Sequence, residues 1–379
     1  MRRLKFLPQL RELRNSLISK ITRLSVCLAL VFCLFIGDRA LATDLSALTR
    51  SAIAVKAPDK VVLIAVTNAG QRLVAVGVHG VIVYSDDSGQ HWSQAKVPVD
   101  VTLTAVRFAN GQDGWAVGHY GVVLHTTDGG LTWQKQLDGN QVNQITLAAA
   151  QAAEAANDPS LGTARAIARA DHFMAGGPEN PFLALLVTDA NNVTVFGAYR
   201  MTLKSTDGGK DWVDWSLHVG DPVSHNLYDV TRVGADIFLV GEAGSVYCST
   251  DKGMTFPAVT VPAQSTLFTV LPTGDGGVFT FGVAGLAFRS ADAGKTWQPV
   301  NFDTQSNLTA GIVLSSGAII VGNEGGAIAI STDHAKTFSL LPGFQPMEIF
   351  ALAQAPDGDV VAVGSAGVIT IPAKEFLQS

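Results

Sequence analysis

The sequence predicts an all-β fold: a seven-bladed β-propeller with Asp-box turns, an N-terminal strand closing the last blade, and one α-helical hairpin insertion. Three observations carry that expectation. One phrase recurs seven times, its period lies near 41 residues, and a single interval is almost doubled by an Ala-rich segment.

The phrase joins apolar residues to Gly-x-x-Gly, a short β-like run and Ser/Thr-x-Asp-x-Gly-x-x-Trp/Phe. It reads VGVHGVIVYSDDSGQHW from Val76, VGHYGVVLHTTDGGLTW from Val117, FGAYRMTLKSTDGGKDW from Phe196 and VGEAGSVYCSTDKGMTF from Val240. It continues as FGVAGLAFRSADAGKTW from Phe281, VGNEGGAIAISTDHAKTF from Val321 and VGSAGVITIP from Val363. The first glycines, from Gly77 and Gly118 through Gly322 to Gly364, are separated by 41, 79, 44, 41, 40 and 42 residues. A period of about 40 residues built from short β-patterned runs is the signature of four-stranded propeller blades.

In blade two the strands are expected at Thr102–Phe108, Gly114–Val117, Val122–Thr126 and Thr132–Gln136, where β-branched residues alternate with polar ones and glycine marks the joints. Blade seven ends after three strands. The strand-like segment Ser51–Lys56 is expected to supply its fourth and close the ring, which would remove an open sheet edge.

The long interval contains residues 138–181, between blades two and three. Gln141–Ala156 is Ala-rich with high helix propensity, Asn157-Asp158-Pro159 breaks it, and Leu161–Met174 reads as a second helix. The hairpin is expected beside the turns His119-Tyr120 and Tyr199-Arg200. It reads either as a cap on the channel or docking element for a partner, or as a surface elaboration; deletion of 141–176 is expected to leave folding largely intact and, on the docking reading, to abolish partner pull-down.

Residues 1–42 read as a secretory signal. A basic n-region precedes thirteen uncharged apolar residues, Leu24–Ile36, and Ala40-Leu41-Ala42 offers small residues for cleavage after Ala42. Thirteen residues fall short of the roughly 20 that span a bilayer. The mature chain, 43–379, keeps 18 basic and 30 acidic residues. No basic stripe remains to neutralise phosphates, so nucleic acid is excluded as a partner. Cys248 is the one cysteine left, and it reads as a small apolar strand residue. The chain is expected in the periplasm, or in the thylakoid lumen of a phototroph, as a monomer.

The Asp-boxes are centred on Asp87, Asp128, Asp207, Asp251, Asp292 and Asp333, the last with Ala335 in place of glycine. A carboxylate can accept backbone N–H groups of its own turn, and glycine tolerates positive φ there. The same residue recurring in every blade is a turn-former, whereas a catalytic site needs one unique constellation. In a four-stranded blade these boxes lie on one face of the disc, and the turns between second and third strands lie on the other. There the repeat keeps its form and varies its content, as a recognition surface does. The partner-binding candidates are His79, His119, Tyr120, Tyr199, Arg200, Glu242, Asn323 and Glu324.

The repeat resembles the photosystem II stability/assembly factor family and its bacterial relatives. The resemblance spans roughly Val61 to Pro372. It is carried by the VG-x-x-G turn coupled to S-T-D-G-G-K-x-W, seen at Ser205–Trp212 and less closely at Ser290–Trp297. It implies an exported seven-bladed propeller that binds a membrane-protein complex or precursor during assembly, without a cofactor. The acidic mature charge and the long insertion depart from the family pattern.

Asp-boxes also occur in sialidase-like glycoside hydrolases and in lectins, so a carbohydrate-active reading stands as the alternative. Its best carboxylate pair is Glu242 with Glu324 facing across the axis. Against it, no arginine sits in the Arg-Ile-Pro context of the sialidases, and HExxH, Cys-x-x-Cys, G-x-S-x-G and Walker motifs are all missing. His79 and His119, read as equivalent positions of neighbouring blades, are turn histidines and not a metal site. An accessory subunit of an envelope export system is a third reading.

Overall fold

The computed structural model describes residues 45–156, 163–220, 223–343 and 345–376; the signal expected over 1–42 and the breaker at Asn157-Asp158-Pro159 lie outside them. Seven antiparallel sheets follow one another as propeller-like blades, six with four strands and the last with three. Blade one runs through Leu63–Ala69, Arg72–Gly77, Ile82–Ser85 and Ser93–Gln94. The first strands of the others are Leu103–Phe108, Phe182–Val187, Leu227–Val233, Leu267–Pro272, Leu308–Val313 and Ile349–Gln354. Each first strand packs beside the next, and the seventh returns to the first, so the ring is closed by contact of the inner strands.

The second strands explain the apolar runs of the sequence. Gly114–Gly118, Val193–Gly197, Val278–Gly282, Ile319–Asn323 and Val360–Gly364 are buried at every residue. A strand covered on both faces by neighbouring blades loses the polar alternation of a half-exposed one. Trp115, Phe196, Phe238, Phe279 and Phe281 fill these interfaces and are fully buried. Each such side chain contributes on the order of 1.5–3 kcal/mol by leaving water.

The expectation for Ser51–Lys56 is corrected. The segment forms no strand, and blade seven stops at Val360–Gly364 paired with Gly367–Ile371. The physical reason is competition for its backbone groups. Ala52 N–H donates to Val97 O, Val55 N–H to the Gln94 side chain, and Gln94 Nε2 to Ile53 O. The segment is thereby tied to the outer strand of blade one.

Two helices, α1 (Gly139–Ala155) and α2 (Thr163–Gly176), make up the insertion. α1 starts two residues before the expected position because Asp138 caps it: its side chain accepts from Asn140 N–H, and Gln141 accepts from Asp138 N–H. Ala150 of α1 meets Ala166 and Ala170 of α2, small residues that let the helices approach closely. Val142 and Phe173 descend into the apolar core between blades two and three. Among the described residues no helix is long and apolar enough to cross a membrane.

Candidate binding face

The turns between second and third strands share one construction. The first residue donates its N–H to the carbonyl preceding its own blade's first strand, as in His119 to Thr102 O (2.9 Å) and Glu242 to Asn226 O (3.1 Å). The second takes a left-handed conformation: His79 (φ 55°), Tyr120 (57°), Tyr199 (54°), Ala243 (51°) and Ala284 (54°). His79 is therefore the counterpart of Tyr120, and not of His119 as the sequence suggested. A glycine opens the turn in every blade but the sixth, because a Cβ there would press on backbone; at Gly118 it would lie 2.2 Å from Thr102 O. Arg200 stands at φ 60° where the other blades carry glycine.

Blade six departs from the sequence alignment. Leu308 pairs with Asn323, as Leu103 pairs with Gly118 and Leu267 with Gly282. Asn323, and not Gly322, thus holds the opening position of that turn. It is buried, and its Oδ1 accepts from Ala327 N–H at 2.8 Å.

Glu242 and Glu324 are staples. Glu242 takes Asn226 N–H (2.9 Å) and Asn226 Nδ2 (3.0 Å), while Asn226 Oδ1 accepts from Tyr199 N–H of the preceding blade (2.9 Å). Glu324 holds Asn307 in the same way, at 3.0 and 2.8 Å, and Asn307 Oδ1 accepts from Ala284 N–H of blade five (2.9 Å). Both oxygens of each carboxylate are thereby committed to joining blades. This corrects the reading of Glu242 and Glu324 as a facing acid–base pair. Among the described arginines, Arg50 is paired with Asp100, Arg72 with Asp86 and Arg169 with Asp214.

His79 Nδ1 meets the buried Asp100 carboxylate at 2.9 Å, and Arg50 holds the same carboxylate at 2.7 Å. His119 stays at the surface, and Tyr120 packs partly against the blade one–two core. Tyr199 is exposed, with its ring edge-on to His172 of α2 at 6.1 Å and beside Phe173 at 6.0 Å. Exposed Met174 follows on the same helix. α1 begins against the blade-two turn, since a Cβ on Gly121 would lie 2.7 Å from Gly139 Cα. The insertion thus stands over the His119-Tyr120 and Tyr199 turns. α2 reaches the outer strand of blade three, where Arg169 and Asp214 approach to 3.8 Å with both side chains buried.

A second ring of residues went unread in the sequence. Every first strand opens with a β-bulge. The bulged residues line the mouth of a channel of about 480 Å³, among them Ile64, Leu183, Tyr228, Phe268 and Phe350. Each lies directly after the apolar residue that pairs with the turn glycine, so a constant apolar residue followed by a variable one was the available signal. Deeper in the channel Arg107 faces Asp229 at 3.9 Å. Burial pushes the Asp229 carboxyl upward, opposed by Arg107 and by N–H bonds from Val270 and Val230.

The Asp-boxes occupy the other ends of the third strands. Ser85 Oγ donates to Asp87 Oδ1 (2.8 Å), His91 N–H donates to the same oxygen (2.9 Å), and Trp92 Nε1 donates to Gly89 O (3.0 Å). Asp128, Asp207, Asp251, Asp292 and Asp333 repeat the Ser/Thr–Asp bond. The boxes also join blades: Arg72 Nη1 reaches Gly129 O, Gln136 Nε2 reaches Gly208 O and Trp215 Nε1 reaches Gly253 O.

The family model described as photosynthesis system II assembly factor YCF48 matches residues 45–161 and 178–372, leaving out the whole of α2. None of the curated proteins matches the chain. Among solved structures, YCF48 bound to D1 peptide superposes with a TM-score of 0.60 at 16% identity, covering 84% of this chain and 96% of that one. YCF48 from Cyanidioschyzon merolae gives 0.59 at 13% identity over 84% and 96%. The WD40 β-propeller domain of Doa1 gives 0.57 at 10% over 85% and 95%, a likeness of fold. The match runs through all seven sheets and the turns between their second and third strands, and the chain belongs to the photosynthesis system II assembly factor YCF48 family.

Proposed function

We propose that this chain is an exported, non-catalytic scaffold, a seven-bladed propeller of residues 43–379, that binds a membrane-protein complex or its precursor on the turn face. One observation carries the reading: variable side chains converge at one end of the ring. Tyr199, His172 and the bulge ring meet there, while the invariant carboxylates of the opposite end are consumed by their own turns. Family membership and the D1 peptide bound to a related propeller support the same mode of action. The basic n-region, apolar run and Ala40-Leu41-Ala42 support export to the periplasm or thylakoid lumen with cleavage after Ala42. The mature chain works as a monomer with no cofactor.

The test is site-specific photo-crosslinking in the native membrane. A photoreactive residue at Tyr199 is expected to capture a membrane protein, and one at Lys252 of the opposite face is not. Equal capture at both positions, or none at Tyr199, overturns the assignment of the face. The identity of the captured chain separates an assembly client from a component of an export system.

A further inference from the structure

A groove of about 330 Å³ lies in blade six, between the loop that enters it and its outer strands. Its counterpart in blade two is filled by the chain itself. There Val122, Leu124 and Trp133, with Val99 and Val101 of the entering loop, bury Ala47 and Leu48 in one apolar cluster. The seated segment is held by its carbonyls: Lys135 Nζ donates to Leu48 O (3.0 Å) and Asp100 N–H to Ala47 O (2.8 Å).

The strand registers make the two grooves equivalent. Leu124 pairs with Lys135 in blade two, as Ala329 pairs with Leu340 in blade six. Val122, Leu124 and Trp133 therefore become Ala327, Ala329 and Phe338, three smaller side chains, and all three line the blade-six groove. Removing that much side-chain volume leaves space that nothing among the described residues fills. Leu340, in place of Lys135, stands 64% exposed at its mouth.

One donor faces an occupant. Asn323 also lines the groove and is only 7% exposed; with Oδ1 committed to Ala327 N–H, its Nδ2 has no partner among the described residues. The groove therefore favours an occupant that brings a carbonyl.

We propose that the blade-six groove is a docking site for a short apolar segment of a partner polypeptide, seated as Ala47-Leu48 is seated in blade two, with a backbone carbonyl on Asn323 Nδ2. Asp303 at the rim, with no lysine nearby in the lining, disfavours acidic flanks. The proposal rests on the reading that the turn face binds a polypeptide and names one subsite for it.

The probe is a fluorescein-labelled peptide with the sequence of residues 45–50, LSALTR, titrated against the full chain and followed by fluorescence anisotropy. Saturable binding is expected. Leu340→Asp, at an exposed position, and Ala327→Leu, which fills the groove, should each weaken it at least tenfold with unchanged melting temperature. A probe carrying Ala47→Glu should not bind. Absence of saturable binding, or binding indifferent to both variants, overturns the proposal; the latter places the probe in blade two. Concentration-dependent dimerisation abolished by Leu340→Asp would also overturn it, because the occupant would then be a second copy of this chain. Crosslinking from Tyr199 is an independent readout, so loss of this subsite and loss of the proposed function are distinguishable.

Discussion

Asn226 and Glu242 are bound to each other at two points, and through Asn226 Oδ1 they also hold the Tyr199 turn of the preceding blade. A carboxylate that looks free in the sequence is thus a tie between blades three and four. Hydrogen bonds to a charged group contribute about 1.5–3 kcal/mol each. Glu242→Ala is expected to lower the unfolding free energy by about 2 kcal/mol on that scale. Asn226→Ala removes the side-chain bond to Glu242 and keeps the backbone one, so the double variant should cost less than the sum of the two single ones. Denaturant titration of the four proteins checks it; simple additivity would show that the staple carries no coupling energy.

Acid should find the Asp-boxes. Hydrogen bonds from His91, Thr255 and Thr296 hold Asp87, Asp251 and Asp292 at about 2, and bonds from Thr337 and Ser331 do the same for Asp333 against the upward push of burial. These folded-state values lie below those of the unfolded chain. Their stabilisation is therefore complete above about pH 4 and is lost as pH falls toward 2. Melting temperature should decline over that window, and Asp292→Asn should both lower stability at pH 7 and shallow the decline. A flat profile between pH 4 and 2 would contradict the assignment.

Cys248 is expected to be inert. Burial pushes its thiol up to about 11, which keeps the thiolate scarce at neutral pH. In the chain without residues 1–42, alkylation by iodoacetamide should appear only in denaturant. Rapid labelling of the native protein would mean that the strand Val246–Ser249 opens readily.

The hairpin is less dispensable than its sequence suggests. Phe173 is 1% exposed within the core of blades two and three. Phe173→Ala should cost about 3–5 kcal/mol, measurable as a lower denaturation midpoint. Deletion of 141–176 should cost more, because it uncovers the apolar surface that Val142 and Phe173 now cover. A deletion variant as stable as the parent would restore the view of the hairpin as an ornament.

Ala284 holds φ 54° at an exposed turn. A left-handed alanine is strained by roughly 1–2 kcal/mol, while glycine adds up to about 1 kcal/mol of unfolded-state entropy. Ala284→Gly should therefore be neutral or stabilising by up to about 1 kcal/mol. Gly118→Ala, with its Cβ 2.2 Å from Thr102 O, should be strongly destabilising. Thermal melts of the pair test the sign.

Much of the fold was legible because repetition turns weak local signals into a strong one. Apolar runs ending in glycine marked the buried second strands, and Ser/Thr-x-Asp-x-Gly marked turns whose carboxylate bonds are local. The site was legible only in outline. Tyr199 and the hairpin meet, but Glu242 and Glu324 turned inward to Asn226 and Asn307, and Asn323 took a glycine's place. These outcomes depend on which loop carbonyl or amide stands opposite a side chain, and the spacing of glycines does not encode that.

By itself the sequence determined seven repeating sheets, the interval that holds two helices, and the self-contained Asp turns, because each rests on periodicity or on bonds spanning a few residues. Only the tertiary structure decided how the ring meets its own start. Ser51–Lys56 has strand composition, yet its N–H groups found Val97 O and Gln94 before any edge of blade seven. It also decided that one groove is filled by Ala47 and Leu48 while its copy, opened by Ala327, Ala329 and Phe338, stands open. Pairing between distant segments is a competition among alternative partners, and a local pattern names the competitors without naming the winner.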